Sequence, residues 1–170
     1  MIKVRQFYIA MAKNFGTIDI LINNAGTKNG HSGVTSITNA DVEDFEHTWR
    51  VNCGSAYLLT QFCMPAMVEK GWGRVVFVSS VAGLTGGVVG PHYACVWVML
   101  VKSVSWLTSR RSSKAALHGL IHWAASAYAN KGITVNAVTP ALISDTKNLP
   151  GTPEALAKSE FGISWDGNLG

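Results

Sequence analysis

In this 170-residue sequence, the residues best suited to chemistry stand where apolar runs end. Asn23-Asn24-Ala25-Gly26 follows the run Ile18-Asp19-Ile20-Leu21-Ile22. At the carboxyl end of a parallel strand, small residues let a ligand approach the backbone; the alternative is an ordinary Asn-rich turn. Asn52 falls on an apolar helical stripe, where a buried amide must be hydrogen-bonded or used, so structural satisfaction and a catalytic relay both remain open. Ser79-Ser80 closes a second apolar run, and Tyr93 follows Ser80 by thirteen residues. His118 and His122 have a metal-ligand spacing on a helix, yet no third ligand is evident and a helix-surface pair is expected. The thiols of Cys53 and Cys63 read as packing atoms.

These groups need elements to hold them. Residues 18–22, 75–78 and 133–138 are short, β-branched and nearly continuous in apolar character, which predicts buried strands of a parallel sheet covered on both faces. Between them, Val42, Phe45, Trp49, Ala56, Leu59, Cys63 and Met67 recur at helical spacing across residues 41–70. Asp41, Glu43, Asp44 and Glu46 crowd the start, where a helix dipole favours negative charge. Residues 112–130 give a second stripe through Leu117, Leu120, Ile121, Ala124 and Tyr128, closed by Lys131-Gly132. Alternating strands and helices predict an α/β fold.

Composition narrows the class. Hydrophobic residues make up 48% and charged residues 14%, half the usual share of about 25%, which disfavours disorder and charged coiled coils. The net charge of +4 is scattered, without a basic run, so no nucleic-acid partner is expected. Three cysteines without a CxxC pair point to a reducing compartment. Residues 94–101 form the longest apolar run, far short of the roughly 20 that span a bilayer, so no membrane partner is expected and the cytoplasm is the expected location.

Five motifs, in order, carry a resemblance: NNAG after IDILI, VNxG, GRVVFVSSVAG, a tyrosine followed by SKAALHGL, and GITVNAVTP. Over roughly residues 15–156 the sequence resembles the classical short-chain dehydrogenases/reductases. The resemblance implies a Rossmann-like, doubly wound parallel sheet that moves hydride between NAD(P)H and a carbonyl or secondary alcohol of a small molecule, 3-oxoacyl reductase-like. It implies Tyr93 as general acid/base and Ser80 as hydrogen-bond donor to the reacting oxygen. Lys114 would hold the nicotinamide ribose and depress the tyrosine pKa, and Asn52 would support a proton relay. Asn23, Ala25, Gly26 and Ile143, with Tyr93 and Lys114, would contact the cofactor, NADP slightly ahead of NAD.

The chemistry asks for such an arrangement in its own right. Reduction builds alkoxide charge, so a proton donor and a second hydrogen bond must converge on one oxygen. Tyrosine titrates near 10, and a cation about 5 Å away at an effective dielectric near 20 contributes about 3 kcal/mol, roughly two pKa units. Two residues four apart on a helix face supply that contact.

Four departures qualify the resemblance. Tyr93 and Lys114 are 21 residues apart, but removing residues 95–111, CVWVMLVKSVSWLTSRR, restores Tyr-x-x-x-Lys. A straight helix through the block would separate the pair by about 31 Å, whereas looping it out would cost on the order of 2.5 kcal/mol; a disrupted site is the expected outcome. No glycine-rich phosphate turn precedes Asn23, and Gly83-Leu84-Thr85-Gly86-Gly87-Val88-Val89-Gly90 lies where the family has a substrate-side loop. Residues 159–170 match nothing recognised, and Pro140-Ala141 replaces Pro-Gly. The expectation is one incomplete Rossmann-type domain over residues 1–170, with residues 95–111 an atypical insertion and a candidate retained intron. The three strands would be neighbours, leaving the 18–22 strand as an exposed hydrophobic edge prone to homo-oligomerisation. A catalytically dead fragment acting as an interaction scaffold is the competing expectation.

Overall fold

The computed structural model describes residues 2–27, 41–85, 113–140 and 143. The chain divides into two units, Met1–Thr139 and Pro140–Gly170; the sheet belongs to the first. Its elements run α1 (Ile2–Phe15), β1 (Ile20–Asn23), α2 (Val42–Trp49), a π-helical turn (Arg50–Gly54), α3 (Ser55–Lys70), β2 (Gly73–Val78), α4 (Ala82–Thr85), α5 (Ser113–Tyr128), a 3-10 turn (Ala129–Lys131) and β3 (Ile133–Val138). The strands form a parallel sheet in the order β1-β2-β3, with Leu21 opposite Val75 and Val75 opposite Val135. The expected α/β class and the adjacency of the three strands are therefore present.

Among the described residues, helices cover one face of the sheet. Leu21, Val75, Phe77, Ile133 and Val135 pack with Cys63, Met64 and Met67 of α3 and with Leu117, Ile121 and Ala124 of α5. On the opposite face Ile20 is 57% exposed and Ile22 62%. The cause lies in the crossovers. Parallel crossovers are right-handed, and both here step in the same direction across the sheet, so both place their helices on one face. A second helical layer requires the strand order to reverse, and the described strands do not reverse it. Each core side chain the size of Phe77 or Leu117 contributes about 1.5–3 kcal/mol on burial. Helix α1 joins the covered side against α3, where the Tyr8 and Phe62 rings lie 5.5 Å apart.

The helix expected over residues 41–70 is present but interrupted. Asp41 caps its start by accepting from the Glu43 amide. At Arg50–Gly54 the backbone widens into a π turn, which turns residues on either side of it out of phase with one another. The predicted stripe therefore does not run through α2: Val42, Phe45 and Trp49 stay exposed, while Thr48 is buried. Past the turn, Ala56, Cys63 and Met67 of the stripe are buried as expected.

Both long crossover helices end in left-handed glycines, Gly71 at φ 65° and Gly132 at φ 74°. The two turns touch: a methyl on Gly132 would fall 2.0 Å from the Gly71 carbonyl oxygen. Arg74 donates to the Gly132 carbonyl at 3.2 Å, tying the start of β2 to the turn that leads into β3.

Candidate active site

Where β1 and β2 end, small residues and polar side chains meet. The turn after β1 leaves Ala25 and Gly26 exposed, so a ligand can reach their backbone. Behind them stands Asn52, 1% exposed and carried inward by the π turn. Its Nδ2 donates to the Thr27 carbonyl at 2.9 Å and its Oδ1 accepts from the Thr27 amide at 2.7 Å. The buried amide thus clamps the main chain of the turn, which is the structural half of what the sequence left open. Asn23 points to the covered face of the sheet. Its Nδ2 donates to Thr60 Oγ1 at 3.1 Å, and among the described residues its Oδ1 is a buried acceptor without a partner.

Lys114, in the first turn of α5, reaches the same place from the other side. A methyl on Gly26 would lie 3.4 Å from both Lys114 Nζ and Asn52 Oδ1, so three of the expected site residues converge there. The lysine is only 4% exposed, and its Nζ donates to the Val78 carbonyl at 2.7 Å. Burial pushes its pKa down to about 8, because an ammonium removed from water loses hydration.

The serines divide their work. Ser80 is half-buried at the mouth of the site, and its Oγ accepts from the Ala82 amide at 3.2 Å. Ser79 is buried beneath it, with its amide donating to the Val138 carbonyl at 2.8 Å. Its Oγ donates to the Lys114 carbonyl at 3.0 Å and lies 3.0 Å from His118 Nε2. Gly83 of α4 lets this packing close, since a methyl there would come within 3.1 Å of the Lys114 carbonyl carbon.

The sequence did not single out Ser79 or Thr27, and it treated His118 as half of a surface pair. His118 is instead half-buried and hydrogen-bonded, its pKa lowered by burial and by the neighbouring His122 charge; His122 is exposed. The signal for this was present: His118 lies four residues after Lys114 and so shares its helix face. Among the described residues no three His, Cys, Asp or Glu come together to hold a metal ion. Tyr93, His92, most of the 83–90 glycine loop, the 95–111 block and the 159–170 tail lie outside the described residues. Ile143 is exposed in the second unit. Among the described residues no helix is long and apolar enough to cross a membrane.

Comparison with known proteins adds to this geometry. A family model described as enoyl-(acyl carrier protein) reductase matches residues 2–165. Xanthoxin dehydrogenase of Arabidopsis thaliana is 35% identical over 142 residues, 84% of this chain and 43% of that protein. The 7alpha-hydroxysteroid dehydrogenase of Bacteroides fragilis is 29% identical over 150 residues, 88% of this chain and 51% of that protein. A solved structure described as ElxO with NADP bound superposes with a TM-score of 0.67 at 29% identity, over 86% of this chain and 50% of that one. The chain spans about half the length of the curated relatives it matches.

Proposed function

Because the chain belongs to the short-chain dehydrogenase/reductase family, we propose that it is an NAD(P)-dependent oxidoreductase acting on a carbonyl or secondary alcohol of a small molecule, of the 3-oxoacyl reductase kind. The observation that carries this reading is the convergence of Lys114, Asn52 and Gly26 behind an exposed small-residue turn.

The residues present fit a nicotinamide cofactor. Among the described residues the Lys114 ammonium gives one hydrogen bond, to Val78, and an ammonium can give three. Gly26 itself puts no side chain beside that ammonium, where a methyl would come within 3.4 Å. Lys114 would hold the ribose hydroxyls, with Asn23, Ala25 and Gly26 offering backbone, and Ile143 is taken as a cofactor contact on the family resemblance alone. The cofactor, when bound, supplies or accepts the hydride, and NADP is taken slightly ahead of NAD; the relative with NADP bound supports that order.

In the reductive direction Tyr93 gives its phenolic proton to the substrate oxygen as negative charge builds there. Ser80 Oγ–H donates a second hydrogen bond to the same oxygen. The Lys114 cation favours the resulting phenolate, and Asn52 supports the relay that returns a proton to it. In the oxidative direction the proton travels back along the same route. This role requires Tyr93 and Lys114 to meet across residues 95–111, so we read those residues as an insertion within one Rossmann-type domain. The cytoplasm is the proposed location, in keeping with the free, buried thiols of Cys53 and Cys63, and homo-oligomers are the proposed assembly.

Fluorescence titration with NADPH tests the reading. Saturable binding is expected, and weaker binding by at least tenfold in Lys114→Ala. A wild-type chain that gives no saturable signal refutes it and leaves a non-catalytic scaffold.

A further inference from the structure

Ser79 and His118 are polar groups that the proposed chemistry does not use. A hydroxyl has one proton to give, and a carbonyl oxygen can only accept. At 3.0 Å from the Lys114 carbonyl, the Ser79 proton is therefore committed to that oxygen. His118 Nε2, also 3.0 Å from Ser79 Oγ, faces an oxygen with only lone pairs left, so the ring must be the donor. That assigns the neutral ring as the Nε2–H tautomer. Within α5 the Lys114 carbonyl also accepts the amide four residues on, which is that of His118. The result is a closed ring of three hydrogen bonds: imidazole to serine hydroxyl, hydroxyl to Lys114 carbonyl, and His118 amide to the same carbonyl.

The ring sits where three elements must be registered against one another. The Ser79 amide is held by Val138 at the end of β3. The residue before it, Val78, supplies the carbonyl that receives Lys114 Nζ, and the residue after it is Ser80. A Ser–His contact elsewhere would raise the idea of a nucleophile and its base. Here the hydroxyl proton points away from the imidazole and Ser79 is 4% exposed, so that role does not fit.

We propose that His118 is a positioning residue: by donating Nε2–H to Ser79 it fixes the main chain of Lys114 and the strand end that presents Ser80. The proposal rests on the reading of Lys114 and Ser80 given above. Removing the imidazole frees the first turn of α5, lets water reach the lysine, and loosens the grip expected on the ribose. Protonation of the ring leaves the link intact, since an imidazolium also donates at Nε2.

The experiment uses the full chain with His118→Gln, His118→Leu and Ser79→Ala. Glutamine keeps an N–H donor at comparable reach, whereas leucine keeps only bulk. Nitrogen-15 spectra of labelled histidine should report the Nε2–H tautomer at His118; the Nδ1–H tautomer overturns the proposal. Carbon-13 lysine spectra should give a Lys114 midpoint of about 8 in the wild type. The midpoint should rise by about one unit or more, a tenfold change in the ionisation constant, in His118→Leu and Ser79→Ala but not in His118→Gln. Equal midpoints in all variants overturn the proposal. NADPH affinity should fall in His118→Leu and return in His118→Gln. If the wild type binds no NADPH, the functional reading fails while the tautomer and the midpoints still decide the positioning role. If His118→Leu does not fold, the wild-type tautomer and the Gln variant decide it.

Discussion

Replacing Lys114 by methionine tests the electrostatics of the site by stability alone. The side chain is 4% exposed and its pKa stands at about 8, against an ordinary value of 10.5. Below pH 8 the lysine is charged in both folded and unfolded chains, and the folded state bears the whole cost of stripping water from the ammonium. Between pH 8 and 10.5 the folded lysine is neutral while the unfolded one still binds a proton, so stability climbs with pH. Above 10.5 the penalty is gone. The gap of 2.5 pKa units corresponds to about 3 kcal/mol. Methionine has similar length and no charge, but it forfeits the hydrogen bond to the Val78 carbonyl, worth about 1 kcal/mol. Lys114→Met should therefore be about 2 kcal/mol more stable than wild type at pH 7 and about 1 kcal/mol less stable at pH 10.5. Urea titrations followed by circular dichroism at half-unit pH steps measure this directly, and subtracting the variant removes every other titrating group. Parallel stability curves for the two proteins from pH 7 to 10.5 would refute the reasoning.

Three further outcomes are expected. Gly71→Ala should cost about 1 kcal/mol, the ordinary penalty for a side chain at positive φ, because a methyl there meets nothing; Gly132→Ala should cost about 2 kcal/mol more in the same urea assay, because its methyl meets backbone. Asn52→Ala removes two hydrogen bonds to the Thr27 main chain and should lower stability by about 2 kcal/mol, whereas Asn14→Ala, on the exposed face of α1, should change it by less than about 0.5 kcal/mol. Burial pushes the Cys63 thiol up to about 11 and raises that of Cys53, so neither should react with a disulfide reagent at pH 7.5 until urea unfolds the chain, as read by peptide mass mapping.

The sequence discloses the strands because their β-branched runs end in turn residues, and β3 begins and ends where the apolar pattern does. The α5 stripe is equally plain: Leu117, Ile121 and Ala124 recur at helical steps and all three are buried. The π turn escapes such reading, since one additional backbone residue leaves no mark in composition yet turns Val42 and Phe45 outward. That the described residues leave Ile20 and Ile22 exposed was also hidden, because these two are as apolar as residues that are buried. At the site, Asn52 and Lys114 were legible by type and motif, and their meeting over Gly26 is long-range. Ser79 was masked by its neighbour: a pair of adjacent serines does not say which one faces inward, and only the alternation along β2 decides it.

The order of the strands also bears on how the chain reaches this structure during synthesis. Each described strand pairs with the next described one, across about fifty residues of crossover, and none of the three must wait to be inserted between the other two. When β2 emerges it finds β1 already present with α3 behind it, and β3 then finds β2. Assembly of these strands can proceed vectorially, and β3 brings with it the Val138 carbonyl that receives Ser79. The polar ring beneath the candidate site therefore closes only when the crossover between β2 and β3 has docked, so among the described elements this geometry matures late.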